Sequence, residues 1–170
     1  MADKMDRFRA TNERMATSLL DRLIDTDPDL VKEPLMTMNE QIAQIRSALR
    51  RDLETILNTR CCPDSPPKGL PELRDSLVRF GVEDMFSMRL VTNRQRDAMA
   101  QELQNRIRLF EPRLEDLSVT VLPNKDASDR ILHIRISATY KIQKGLPPIV
   151  FDTRLDPVMQ RFSVLEGSRG

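Results

Sequence analysis

Residues Arg106-Ile107-Arg108-Leu109-Phe110-Glu111-Pro112-Arg113-Leu114 divide the chain into two periodicities. Before them runs an amphipathic helical pattern, and after them the sequence alternates residue by residue as a strand does. Proline disfavours helix at the residue before it, so the helix is expected to stop near Glu111. A carboxylate and a guanidinium, Glu111 and Arg113, then stand two residues apart where helix gives way to sheet. Two roles are open to them. They can close the turn by pairing with each other or with free backbone groups, or they can form a charged surface of fixed geometry for a partner.

C-terminal to this joint, Leu117, Val119 and Val121 alternate with Ser118 and Thr120. Arg130 to Ile142 is the clearest strand, with Leu132, Ile134, Ile136, Ala138, Tyr140 and Ile142 on one side and His133, Arg135, Ser137, Thr139 and Lys141 on the other. Pro123 to Asp129 is expected to make the hairpin between them. Gly145 to Pro148 turns the chain into a strand at Ile149–Leu155, a last short alternation runs from Val158 to Leu165, and Glu166 to Gly170 should fray.

N-terminal to the joint, Thr92 or Asn93 caps a helix whose core stripe is Met99, Leu103, Ile107 and Phe110. Its opposite face carries Arg94, Arg96, Asp97, Gln101, Gln104 and Arg108. A preceding helix is expected from Pro71 as its first residue to Gly81 just past its end, with Leu73, Leu77 and Phe80 inward. Cys61 to Gly69 is a proline-rich, stiff loop. Before it, Asn39 is a plausible cap for a long helix from Glu40 to Leu57 with Ile42, Ile45, Leu49, Leu53 and Ile56 in one stripe and Asn58 as a left-handed C-cap. Arg50 and Glu54 sit four apart on it, a pair worth about 0.3–0.5 kcal/mol if exposed. A short helix at Ser18–Asp25 carries Leu19, Leu20, Leu23 and Ile24 on one face, either as a lid on the core or as a docking helix for another chain.

Helices first and antiparallel strands second make the fold α+β, with N-terminal helices packed on one face of a small, mainly antiparallel C-terminal sheet. The expected organisation is an arm at 1–34, an α+β domain at 35–166 and a frayed tail at 167–170. A net charge of +1, from 27 basic and 26 acidic residues, gives no single-sign field for nucleic acid. Six Phe, one Tyr and no Trp leave no platform for stacking bases. Apolar runs are too short to span a bilayer, and the start has no signal-peptide pattern, so a cytoplasmic location is expected. The adjacent Cys61 and Cys62 with the single His133 are too few for a zinc site, and they read as free thiols. No cofactor is expected.

Arg50-Arg51-Asp52-Leu53-Glu54, Leu57-Asn58-Thr59-Arg60 and Phe110-Glu111-Pro112-Arg113-Leu114, in this order, resemble the gene-25-like baseplate wedge family, the "lysozyme-related" group, in its TssE branch from type VI secretion systems. Ser18-Leu19-Leu20-Asp21-Arg22-Leu23 is similar to the arm of that branch, so the resemblance covers about 20–166. It implies a structural wedge subunit that joins TssF and TssG and starts polymerisation of a contractile sheath built of TssB and TssC, whose subunits exchange strands. It implies a baseplate docked at the inner face of the cytoplasmic membrane complex. Glu111, Pro112 and Arg113 match the family signature without substitution and would belong to its assembly surface, braced by Arg50, Arg51 and Glu54, with Leu19, Leu20 and Leu23 as a further contact. The sheath-facing role would fall on Ile149–Leu155 and Val158–Leu165.

The group's name raises a competing class, a peptidoglycan-hydrolysing enzyme. Such an enzyme needs one raised-pKa acid and one ionised carboxylate about 5–9.5 Å apart across a cleft. Glu54, Glu72, Asp75 and Glu111 are candidates by type, but basic neighbours such as Arg74 and Arg113 lower a carboxyl pKa, the wrong direction for a general acid. No nucleophilic arrangement surrounds His133, and the five scattered glycines form no phosphate loop. No catalytic residue is therefore expected. A generic adaptor outside any contractile machine is the third possibility.

Overall fold

A computed structural model of the chain describes residues 10–11, 18–24, 28–29, 35–63, 69–74, 76–84, 92–123, 131–141 and 148–167. The expectations for Met85, Phe86 and Met88, for most of the proline loop and of the 123–129 hairpin, and for Ile142, the turn before Pro148 and the last three residues lie outside them. The chain forms two compact units, 1–49 and 50–170.

In the first unit, β1 (Ala10–Thr11) precedes α1 (Leu19–Leu23) and pairs antiparallel with β2 (Met36–Thr37). Ser18 caps α1 by accepting from the Asp21 N–H at 3.1 Å. The long helix α2 (Met38–Asn58) starts here and crosses into the second unit. Its cap is Thr37, not the expected Asn39. Thr37 Oγ1 accepts from the Glu40 N–H at 3.3 Å while Glu40 Oε2 accepts from the Thr37 N–H at 2.7 Å. This reciprocal pair satisfies two end donors at once, which a lone Asn side chain could not do.

In the second unit, Leu53, Ile56 and Leu57 of α2 are buried. Asn58 does not end the helix in a left-handed conformation, since among the described non-glycine residues only Asp116 and Gln160 have positive φ. Its side chain instead bonds a distant strand, as described below. The helix expected over 71–81 is broken into two 3-10 turns, Pro71–Arg74 and Leu77–Arg79. Ser76 interrupts it by donating to the Leu73 carbonyl at 2.9 Å and accepting from the Val78 N–H at 3.3 Å, local bonds that compete with a helix. Leu77 consequently points outward and is 82% exposed. Gly81 adopts φ +97°, and a Cβ there would lie 2.2 Å from the Thr59 carbonyl oxygen. That close approach lets Val82 form a parallel bridge with Arg60.

Helix α3 (Asn93–Phe110) opens with a full capping box between Thr92 and Gln95. Met99, Leu103 and Ile107 are buried as their spacing predicts, and Phe110 meets Phe80 edge to face with ring centroids 5.1 Å apart. Then come β3 (Leu114–Leu122), β4 (Leu132–Tyr140), β5 (Ile149–Asp156) and β6 (Arg161–Glu166). They form one antiparallel four-stranded sheet in the order β3-β4-β5-β6, and the fold is α+β. Leu132, Ile134, Ile136, Ala138 and Tyr140 are all buried, as the alternation requires.

β3 starts before its expected alternation, which Leu117 to Thr120 keep, and β6 starts after Val158. A bulge between Glu115 and Ser118, with Asp116 at φ +50°, resets the phase of β3 so that Leu114 and Leu117 both turn inward. Val158 is not in a strand. Asp156 Oδ1 accepts from the N–H groups of Val158 and Met159 at 2.8 and 3.1 Å, and this Asx turn holds both residues outward before β6 begins.

Candidate docking joint

Pro112 offers no N–H to continue α3, and Glu111 leaves the helical region at φ −125°, ψ 73° while its N–H still donates to the Ile107 carbonyl at 2.8 Å. The chain is then taken up at once by the sheet. The Leu114 N–H donates to the Glu111 carbonyl at 3.2 Å, and the Lys141 N–H donates to the Arg113 carbonyl at 2.8 Å. Both charged side chains are thus fixed at their backbones before they meet.

Glu111 is only 3% exposed. Its two oxygens accept from Arg113 as a fork, Nε to Oε1 at 2.6 Å and Nη2 to Oε2 at 2.5 Å. The same Nη2 reaches across to Asp52 Oδ2 at 2.5 Å, on α2. The other oxygen of Asp52 accepts from Arg51 Nε at 3.0 Å and Nη2 at 2.9 Å. A chain of alternating charge, Glu111–Arg113–Asp52–Arg51, therefore ties the helix-to-sheet joint to α2. Charge-assisted, bidentate bonds of this kind are short and geometrically strict. The Arg113 guanidinium is held well above its ordinary pKa, first by its hydrogen bond with Glu111 and further by Asp52, against the opposing effect of burial.

Of the expected bracing residues, the structure brings Arg51 to the joint. Arg50 and Glu54 instead pair with each other at 3.5 Å. Pro112 is exposed, and Arg51 is half-buried with 39% of its side chain accessible. Leu20 and Leu23 are exposed on α1 in the other unit, and nothing is described for the Leu19 side chain.

Asp52 is the member that sequence reasoning did not single out. Its signal was an acid at the edge of the apolar stripe, three residues after the buried Leu49 and four before the buried Ile56. Arg106 is a second such case. It is 8% exposed, and its Nε donates to Glu102 at 2.7 Å while Nη2 reaches Glu83 at 3.5 Å, which also pairs with Arg79 at 3.0 Å. Among the described residues no three His, Cys, Asp or Glu side chains are grouped to hold a metal. No helix among them is long and apolar enough to cross a membrane.

A core joint locked by internal charge pairs, beside an exposed proline and a half-buried arginine, has the makings of a scaffold. A family model described as baseplate wedge protein gp25 matches residues 43–144, more than half of the chain and the whole of the joint. The chain belongs to the baseplate wedge protein gp25 family, whose role is structural, in a phage-tail-like baseplate among other baseplate proteins. No curated protein matches it.

Proposed function

We propose that the chain is the TssE-type wedge subunit of a type VI secretion baseplate, docking on TssF and TssG and starting the sheath built of TssB and TssC. The observation that carries this reading is the intact Glu111-Pro112-Arg113 signature, locked to α2 through Asp52. Because Glu111 is buried, its part is to hold Arg113 from behind, and a partner meets the exposed Pro112 and the half-buried Arg51. The exposed apolar side chains of α1, Leu20 and Leu23, supply a second contact in the arm. The subunit acts by binding, without catalysis, in the cytoplasm where the baseplate meets the membrane complex.

The link to the sheath is strand addition at a sheet edge, where backbone groups lack a neighbour. Of the two late segments expected to serve, Ile149–Leu155 lies in β5 and is paired on both sides, whereas β6 pairs with one strand among the described residues. Co-purification of tagged chain with TssF- and TssG-type subunits tests the docking, with Arg51→Glu and Arg113→Ala beside wild type. Retention of wild type and loss of a folded Arg51→Glu chain support docking through the joint. Equal retention of both moves the docking surface elsewhere. No retention of wild type, with release of fragments from peptidoglycan, would favour the hydrolase.

A further inference from the structure

The two outer strands of the sheet are not equally open. Along β3, helix α3 packs beside the strand, and the Val119 N–H donates to Gln104 Oε1 at 3.3 Å. Along β6, one position is filled by a side chain that imitates a strand. The Phe162 N–H donates to Asn58 Oδ1 at 2.8 Å, and Asn58 Nδ2 donates to the Phe162 carbonyl at 3.0 Å. A primary amide carries the same donor and acceptor as a peptide group, so it completes both bonds that a neighbouring strand would make. Asn58 Nδ2 also donates to the Glu54 carbonyl at 2.9 Å, which anchors the amide to the last turn of α2.

In an antiparallel pair, residues alternately turn their N–H and C=O toward and away from the neighbour. The Gly167 N–H donates to the Val150 carbonyl at 2.9 Å, so 167 turns toward β5. Phe162, Val164 and Glu166 accordingly turn their backbone groups away from it. No described residue bonds those groups of Val164 or Glu166.

We infer that Asn58 sets the register of strand addition on β6 by occupying the Phe162 position, which confines an incoming strand to Val164 and Glu166. The inference rests on the strand-addition reading given above. Pairing from 162 to 166 would use about 14 Å of edge, whereas 164 to 166 leaves about 7 Å. The occupant is an extended main-chain segment of a sheath subunit. An apolar side chain on it, beside the exposed Leu165, would find matching surface.

Residue-resolved amide hydrogen exchange tests this on the full chain, alone and after assembly with purified TssB- and TssC-type subunits. In the free wild-type chain the Phe162 amide is protected, and Asn58→Ala speeds its exchange about fivefold, the factor for one net hydrogen bond. On assembly, wild type gains protection at Val164 and Glu166. The Asn58→Ala chain gains it at Phe162 as well, because the added strand runs on into the vacated position. Asn58→Ser, whose hydroxyl still reaches the Glu54 carbonyl but not Phe162, gives the same comparison if the alanine variant does not fold. Protection at Val164 and Glu166 with Phe162 left unprotected in both variants overturns the role of Asn58. No gain at Val164 or Glu166 in wild type overturns strand addition itself.

Discussion

Glu111 and Arg113 neutralise each other inside the fold, so substitution of either is first a change of stability. Removing one partner of a buried pair costs about 3–5 kcal/mol when the other is stranded. Glu111→Ala is expected to cost less, about 2–3 kcal/mol, because Asp52 still faces Arg113. Asp52→Ala leaves the fork between Arg113 and Glu111 in place and should cost about 1 kcal/mol. Urea unfolding of the two variants measures that order, and a larger loss for Asp52→Ala would place the weight of the joint on α2. A second expectation concerns Glu40, whose carboxyl is held below its ordinary value of 4.5 by the Thr37 backbone and then side-chain bonds. A lowered folded-state pKa means that the cap stabilises fully above the ordinary value and is lost as pH falls through the lowered one. Thr37→Ala should therefore raise the Glu40 titration midpoint, observed by NMR. The turn itself was legible from Pro112 alone, since proline removes a donor. Asp52 was not, because which of several neighbouring charges meets Arg113 depends on helix phase and on a partner 61 positions away.

Gly81 shows how much one backbone position can decide. Its φ of +97° and the carbonyl of Thr59 leave no room for a side chain, so Gly81→Ala should lower stability by about 2 kcal/mol or more, measured by thermal unfolding. Nearby Leu77, although apolar, is outward, and Leu77→Ser should change stability by no more than about 0.5 kcal/mol. Ile136→Ala, in the buried row of β4, should cost about 2–5 kcal/mol. These contrasts explain what the sequence could and could not reveal. Period-two alternation in β4 is long and tied to burial on one face, so it named the inward residues. Ser76 and Asp156 each make two local bonds, and such bonds broke a helix and shortened a strand without disturbing the hydrophobic spacing that suggested them.

For the assembled protein, stability and docking separate by position. Arg51→Glu changes a member of the charge chain whose side chain is 39% accessible, and should leave unfolding within about 1 kcal/mol of wild type while reducing retention by wedge subunits. Glu111→Ala should move both. The α+β class was legible because the change of period falls at one proline. Asn58 was not, because its partner lies 104 residues on and its amide replaces a strand that no periodicity announces.

That second half of α2 has a mechanical consequence. At Asp52 it holds the base of β3, one margin of the sheet, and at Asn58 it holds β6, the opposite margin. The two grips are six residues apart, about 9 Å along the helix axis. Tension applied to β6 thus has two routes, through the ladder of strands and along the helix to Arg113. A pull lengthwise loads the rungs of β6 together, in shear, and the helix takes up part of the displacement. A pull sideways would peel the rungs one at a time, and there Asn58 is the first link to carry the force.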